Sequence, residues 1–310
     1  MKNIARLFAF LIALPLLTSQ TSFAQTIEDS TSVVGKAIDT LAQHEKTTPH
    51  KYRMNYWVSG GLSLAATAAN IYAIPNIIKS KQNFSDAELQ SLNPDAMNDF
   101  DRWALHQDPT QRDQFYQASD YALPVIIVSA GVLGFDKKIR KDWFRILMMY
   151  YEMHAVTFSL YNFSFFGPAF QNKPRPYVYY NNFTLDERRG GNNRNSMYSG
   201  HTATAAASTF FAVKVYSDYH PELGRKKYLL YALASVPPLA EGYLRMRALA
   251  HFPADIMIGF MIGATVGVVV PELHKFKDRN FHIGLAPTPG GAGINLSWVP
   301  ESTPKEVFNF

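Results

Sequence analysis

The side chains with chemistry to offer lie in three short clusters, Lys173-Pro174-Arg175-Pro176, Ser199-Gly200-His201, and Arg245 followed by His251 and Asp255. Each cluster stands at the end of an otherwise apolar segment. Guanidinium forks and the free amides of a helix N-terminus suit a phosphate, and a histidine with a carboxylate partner is a tunable nucleophile or base. His251 and Asp255 are four residues apart, with Pro253 favouring a helix start between them. That spacing predicts the carboxylate on one ring nitrogen and leaves the other free to attack. Ser199-Gly200-His201-Thr202 reads as a helix opening whose amides point at an anion, with Gly200 permitting close approach. His201 is then placed as general acid for a leaving alcohol. Arg175 and Arg245 are placed on the equatorial oxygens, and Glu241, one turn before Arg245, is expected to orient it. Singly, these are a helix cap, membrane-flanking charges and a structural hydrogen bond. Arg247, outside the pattern, reads as such a flanking charge. In order and on one face, the set describes a phosphate-handling site.

The elements that must position the clusters are apolar and blocky. Of 310 residues, 47% are hydrophobic and 18% charged, and the blocks predict a helical membrane protein. A mean hydropathy of −0.13 then demands sizeable polar loops. The absence of cysteine excludes disulfides, thiol catalysis, cysteine zinc sites and a lipidated N-terminal cysteine. The nine histidines form no metal-ligand pattern; Glu152 and His154, two apart, point to different sides of a helix. No metal, cofactor or nucleic-acid partner is expected. The net charge of +5 fits the flanks of membrane helices, with attraction to anionic lipid as the alternative.

Lys2 and Arg6, the apolar run Leu7 to Leu17 and Ser22-Phe23-Ala24 read as a signal peptide over residues 1–24, cleaved before Gln25. Residues 25–120 read as an N-terminal helical region with a periplasmic loop, and within them Tyr56 to Ile78 is apolar. Ser119-Asp120 is expected to cap the run Tyr121 to Phe135. Further helices are expected over Ile146–Phe170, Thr202–Tyr216, Tyr228–Leu244 with a kink at Pro237-Pro238, and Pro253–Val270. In the last, Gly259, Gly263 and Gly267 at four-residue spacing allow close helix approach. Residues 121–270 form the expected core, an all-α membrane bundle of about five to six helices. Residues 271–310 alternate around a Pro/Gly turn and read as a short C-terminal β-hairpin tail. Basic loops at Asp136–Arg145, Arg225–Lys227 and His274–Arg279 are expected in the cytoplasm, which puts the three clusters in the periplasm. A cleaved signal also starts the mature chain in the periplasm, so Tyr56–Ile78 is expected to stop short of crossing.

The clusters resemble the signature of the type-2 phosphatidic acid phosphatase superfamily: a lysine, six residues, Arg-Pro; Pro-Ser-Gly-His; and Ser-Arg, five residues, His, three residues, Asp. Arg175-Pro176, Ser199-Gly200-His201, and Arg245, His251 and Asp255 match it. The resemblance covers about Tyr121 to Val270. Tyr198 and Leu244 replace a proline and a serine of the pattern, and Pro168 stands where the family lysine belongs. Lys173 is therefore the expected replacement phosphate ligand, beside Arg175, Arg245, Ser199 and Gly200. The resemblance implies a metal-independent hydrolase of a phosphate monoester or pyrophosphate on a lipid, with His251, His201 and Asp255 catalytic and a phosphohistidine on His251. Phosphatidic acid, phosphatidylglycerol phosphate, undecaprenyl pyrophosphate and lipid A are candidate substrates, and the implied location is a bacterial inner membrane with the site facing the periplasm. A soluble periplasmic non-specific acid phosphatase, a vanadate-dependent haloperoxidase and a non-catalytic lipid-phosphate binding protein are the competing readings.

Overall fold

Two helices meet backbone to backbone, and the rest of the bundle is arranged around that contact. They are α4 (Gly200–Tyr219) and α7 (Pro253–Lys275). Gly259, Gly263 and Gly267 of α7 lie directly against the main chain at Ser199, Ala203 and Ala207. Ala203, Ala205, Ala206 and Ala207 are fully buried. Small residues on both partners permit this approach, and dispersion between the two backbones replaces interdigitated large side chains.

The computed structural model describes residues 50–275 and the backbone of 281–288 and 291–298. The described residues belong to one unit, His50–Phe310. The other long helices are α1 (Tyr56–Ser80), α2 (Arg112–Ser129) and α3 (Trp143–Phe163), followed after α4 by α5 (Lys227–Ala234) and α6 (Val236–Arg247). After α7 the backbone forms two antiparallel strands, β1 (Phe281–Thr288) and β2 (Gly291–Trp298), with Phe281 opposite Trp298. The signal-peptide reading and most of the 25–51 segment lie outside the described residues.

α1 packs on α3 through a polar seam. Asn70 donates to Ser159 Oγ at 3.1 Å and accepts from Asn162 Nδ2 at 2.9 Å, and the Tyr151 hydroxyl donates to Thr67 at 2.8 Å. Amide and hydroxyl contacts of this kind hold helices together where surrounding lipid offers no hydrophobic drive. Arg53 N donates to His274 O at the start of α1, and Gly191 N donates to Asn83 Oδ1 just beyond its end. The helix thus runs the full height of the bundle. By length and composition it can cross a membrane, where the sequence alone predicts a helix that stops short. Pro75 lies inside the helix without ending it, and 25 residues at about 1.5 Å each exceed the hydrocarbon thickness of about 30 Å.

The start of α2 is a correction. Asp108 caps a short turn opened by Pro109, and the helix then begins at Arg112 rather than after Ser119-Asp120. Ser119 and Asp120 are therefore mid-helix residues facing inward and toward the site. At Ser235 the chain breaks between α5 and α6, where Pro237 and Pro238 occupy the first turn of a new helix.

The segments Tyr56–Ser80, Pro109–Phe135 and Pro253–Lys275 are long and apolar enough to cross a membrane. Large apolar side chains point outward, among them Leu62, Ile71, Tyr121, Val125 and Val132. The end of the bundle holding His50 and Lys275 is closed by ion pairs, Lys214 with Asp218 and Glu272, and Lys275 with the same two carboxylates. The three clusters lie at the opposite end.

Candidate active site

The Arg175 loop is stitched to its neighbours through the backbone. Arg175 N donates to Asn193 O at 2.8 Å, and Tyr177 N donates to Leu249 O at 3.1 Å. Flanking prolines stiffen the loop and offer no competing amide. Arg175 is half-buried, and its Nε is shielded from solvent with no hydrogen-bond partner among the described residues. Arg245, which is buried, donates from Nη1 to Ser119 Oγ at 3.0 Å and to Asp120 Oδ1 at 3.4 Å, and stacks over the Tyr116 ring at 4.4 Å. The two guanidiniums lie close enough to repel one another. Arg245 has only the 3.4 Å contact to the half-exposed Asp120, and Arg175 has no carboxylate partner among the described residues, an arrangement that favours an anion between them.

Ser199 caps α4, accepting from Thr202 N at 3.4 Å. Its own amide donates to the Asp255 carbonyl at 3.1 Å, so the start of α4 is tied to the first turn of α7. A Cβ on Gly200 would stand 3.1 Å from the Tyr161 ring, leaving little room for any other residue there. His201 is partly open to solvent, and its Nε2 lies 3.3 Å from Asp120 Oδ1.

His251 follows α6 in a tight turn. Leu249 has φ 54, Ala250 N donates to Arg245 O at 3.0 Å, and the next helix starts at Pro253. The side chain is buried, and Nδ1 is 2.6 Å from the Ser196 carbonyl. A carbonyl only accepts, so Nδ1 carries the proton and the neutral ring presents a lone pair on Nε2. Burial, reinforced by Arg175 and Arg245, holds the His251 pKa well below the ordinary imidazole value. The ring is a free base at rest.

Asp255 does not touch that ring, contrary to the expected pairing. The four-residue spacing brings side chains together only when both lie on one helix, and His251 precedes the helix. Asp255 Oδ2 instead accepts from Ser196 Oγ at 2.6 Å and from Phe252 N at 3.0 Å. Its Oδ1 accepts from Lys173 Nζ at 2.8 Å. Lys173, expected as a replacement phosphate ligand, also donates to Asp101 Oδ2 at 2.9 Å, so carboxylates occupy its ammonium. Those carboxylates outweigh the effect of burial and raise its pKa above the usual lysine value. Glu241 makes no bond to Arg245: both of its oxygens are buried without a hydrogen-bond partner among the described residues.

All the expected site residues thus converge on one end of the bundle, with Lys173 turned toward Asp255. Sequence reasoning missed Asp101, Asp120 and Ser196. Asp120 stands immediately before an apolar run, where its sequence context reads as a cap rather than as a partner for His201 and Arg245. Asp101 carried no signal, because its role rests on a contact across more than a hundred and fifty residues, from its carboxylate to Ala254 N at 2.9 Å.

Residues 148–279 match the family model of the PAP2 superfamily. This match supports the resemblance to the type-2 phosphatidic acid phosphatase superfamily over that span, and the family implies phosphatase or phosphoesterase activity in general terms. The matched span contains Arg175, Ser199, Gly200, His201, Arg245, His251 and Asp255; Asp101 and Asp120 lie before it. No curated protein and no solved structure gives a significant match.

Proposed function

We propose that the protein hydrolyses a phosphate monoester or pyrophosphate on a lipid through a phosphohistidine on His251. The observation that carries this reading is the buried His251 ring, with Nδ1 fixed on a carbonyl, in the electrostatic reach of Arg175, Arg245 and His201. Phosphoryl transfer asks for little covalent chemistry from a protein beyond a placed nucleophile and stabilisation of the equatorial oxygens. His251 Nε2 attacks phosphorus in line, and Arg175, Arg245 and the amides at the start of α4 hold the three oxygens. His201 delivers a proton to the departing oxygen, with Asp120 Oδ1 steadying its imidazolium. Water then attacks the phosphohistidine, with His201 as base, and phosphate leaves.

The outward apolar side chains of α1 and α2 support a membrane-embedded bundle and hence a lipid substrate over a soluble acid phosphatase. Lys137, Lys138, Arg140 and Lys141, with Arg225 to Lys227, cluster at the end away from the site. On the positive-inside rule that end is cytoplasmic and the site faces the periplasm of a bacterial inner membrane.

The test is phosphate release by purified protein from phosphatidic acid, phosphatidylglycerol phosphate, undecaprenyl pyrophosphate and lipid A, with chelator present. The expected result is turnover of at least one, with acid-labile phosphate on His251. Tight binding without release from any of them would instead indicate a binding protein.

A further inference from the structure

Asp101, Lys173, Asp255 and Ser196 form a continuous hydrogen-bonded chain that ends on the nucleophilic ring. Asp101 comes from a four-residue helix in the segment before α2 and lies outside the family match. One of its oxygens accepts from Lys173 Nζ at 2.9 Å and the other from Ala254 N at 2.9 Å. Lys173 donates onward to Asp255 at 2.8 Å, and its ammonium lies 4.6 Å from the centre of the Phe252 ring. Asp255 accepts from the Ser196 hydroxyl at 2.6 Å, and the carbonyl of the same Ser196 holds His251 Nδ1 at 2.6 Å. Ser196 N donates back to Lys173 O at 3.1 Å, so lysine and serine grip one another through the backbone as well. Asp101, Ser196 and Asp255 are buried, and Lys173 is largely covered.

We propose that Lys173 and Asp101 are positioning residues for the nucleophile, acting through Asp255 and Ser196 rather than on the phosphate. The chain has one cation between two carboxylates, and both carboxylates also bind backbone amides at the start of α7. That makes Lys173 the strut between the Arg175 loop, the Ser196 loop and α7. Two of its donors meet carboxylates and the ammonium lies over the Phe252 ring, which leaves Arg175 and Arg245 as the phosphate cations. Ser196 can aim the imidazole only while its own loop is fixed, and the Lys173–Asp255 pair fixes it. The segment carrying Asp101 thereby gains a purpose, clamping the site from outside the family core.

This proposal rests on His251 being the nucleophile, and the test separates the two. Single-turnover phosphoenzyme formation is measured at saturating lipid phosphate, together with the Ki for inorganic phosphate. The 15N resonances of His251 are recorded in parallel, since they report the Nδ1–H tautomer whether or not turnover occurs. Lys173→Met and Asp101→Ala should each slow phosphorylation by about 10–100-fold, as expected for a ring misplaced by about 1 Å. The phosphate Ki should stay within about twofold, and the His251 spectrum should show the second tautomer. The double variant should be little worse than either single one, because both cut the same chain. Lys173→Arg, which keeps the charge, should restore most of the rate, and Ser196→Ala should reproduce the defect by a route that leaves Lys173 intact. A Ki for phosphate raised tenfold by Lys173→Met, with the saturating rate unchanged, would make Lys173 a phosphate ligand and overturn the proposal. An unaltered His251 spectrum in Lys173→Met overturns it equally. If the wild type forms no phosphohistidine while its His251 tautomer still depends on Lys173, the functional reading fails and the positioning role stands.

Discussion

Replacing Gly263 by alanine tests whether the α4–α7 contact sets the geometry of the site. An added Cβ would lie 2.0 Å from the Ala203 carbonyl oxygen, 2.7 Å from its carbon and 2.9 Å from its Cα. All three are backbone atoms, so no side chain can rotate away. Restoring a separation of 3.0 Å needs about 1 Å of movement between the helices. Overpacking of this size costs about 1–3 kcal/mol. The catalytic cost should be larger than stability alone suggests. His201 sits just before Ala203 on α4, and Asp255, which holds the Ser196 that aims His251, lies two turns before Gly263 on α7, so a parted pair pulls the proposed acid from the proposed nucleophile. A misplacement of about 1 Å can lower a rate about 10²-fold. Phosphate release from an aryl phosphate, assayed well below the unfolding midpoint in detergent, should fall by about that factor in Gly263→Ala. Gly61→Ala is the control, because a Cβ there meets nothing within 4 Å and alanine favours the helix. Activity of Gly263→Ala within threefold of wild type would refute the argument that this contact fixes the site.

His201→Ala should slow phosphoenzyme formation far more with an alkyl leaving group than with an activated aryl one, since only the former needs a proton; equal losses on the two would remove His201 from the acid role. The acid limb of kcat/KM should lie below the ordinary imidazole range. Burial and two guanidiniums disfavour the His251 imidazolium, so falling pH protonates the nucleophile late. Removing one guanidinium in Arg175→Gln should move that limb upward while lowering the plateau, as read from a pH–rate profile. Asp120→Asn should weaken the support of His201 and Arg245 together, lowering turnover by about 10-fold. Wild-type turnover in that variant would show that Asp120 serves neither.

The residues of the candidate site are legible in the sequence because each cluster has its own local grammar. Ser199-Gly200-His201 marks a helix opening whether or not its neighbours are known, and Gly259, Gly263 and Gly267 announce a close helix contact. Partners were harder to read. The four-residue spacing of His251 and Asp255 implied a direct bond, but the left-handed turn at Leu249 and the helix start at Pro253 put the ring outside helical geometry. Lys173 looked like a spare cation because the carboxylates that hold it come from residues 101 and 255. Asp120 was assigned to a cap because Ser-Asp before an apolar run is a strong local signal. The earlier cap at Asp108 and the pull of Arg245 and His201 decide otherwise. Local pattern identified the groups; the pairing among them is set by tertiary packing.

The full-height course of α1 has a consequence for how the chain is made. Arg53 is bonded to His274 at the basic end of the bundle, and the helix carries the chain from there to the end where the chemistry sits. Entry and chemistry are therefore on opposite faces of the membrane whenever α1 crosses it. A leader removed by a peptidase working in the periplasm would deliver residue 25 to that compartment, and residues 25–49 offer no apolar run to carry it back. A removed leader, an α1 that crosses the membrane and a periplasmic site therefore cannot all hold together. With α1 crossing and the basic end in the cytoplasm, the expected outcome is that intact mass measurement finds residues 7–17 still attached. The mass of the N-terminal peptide tests that combination of a crossing α1 and a periplasmic site.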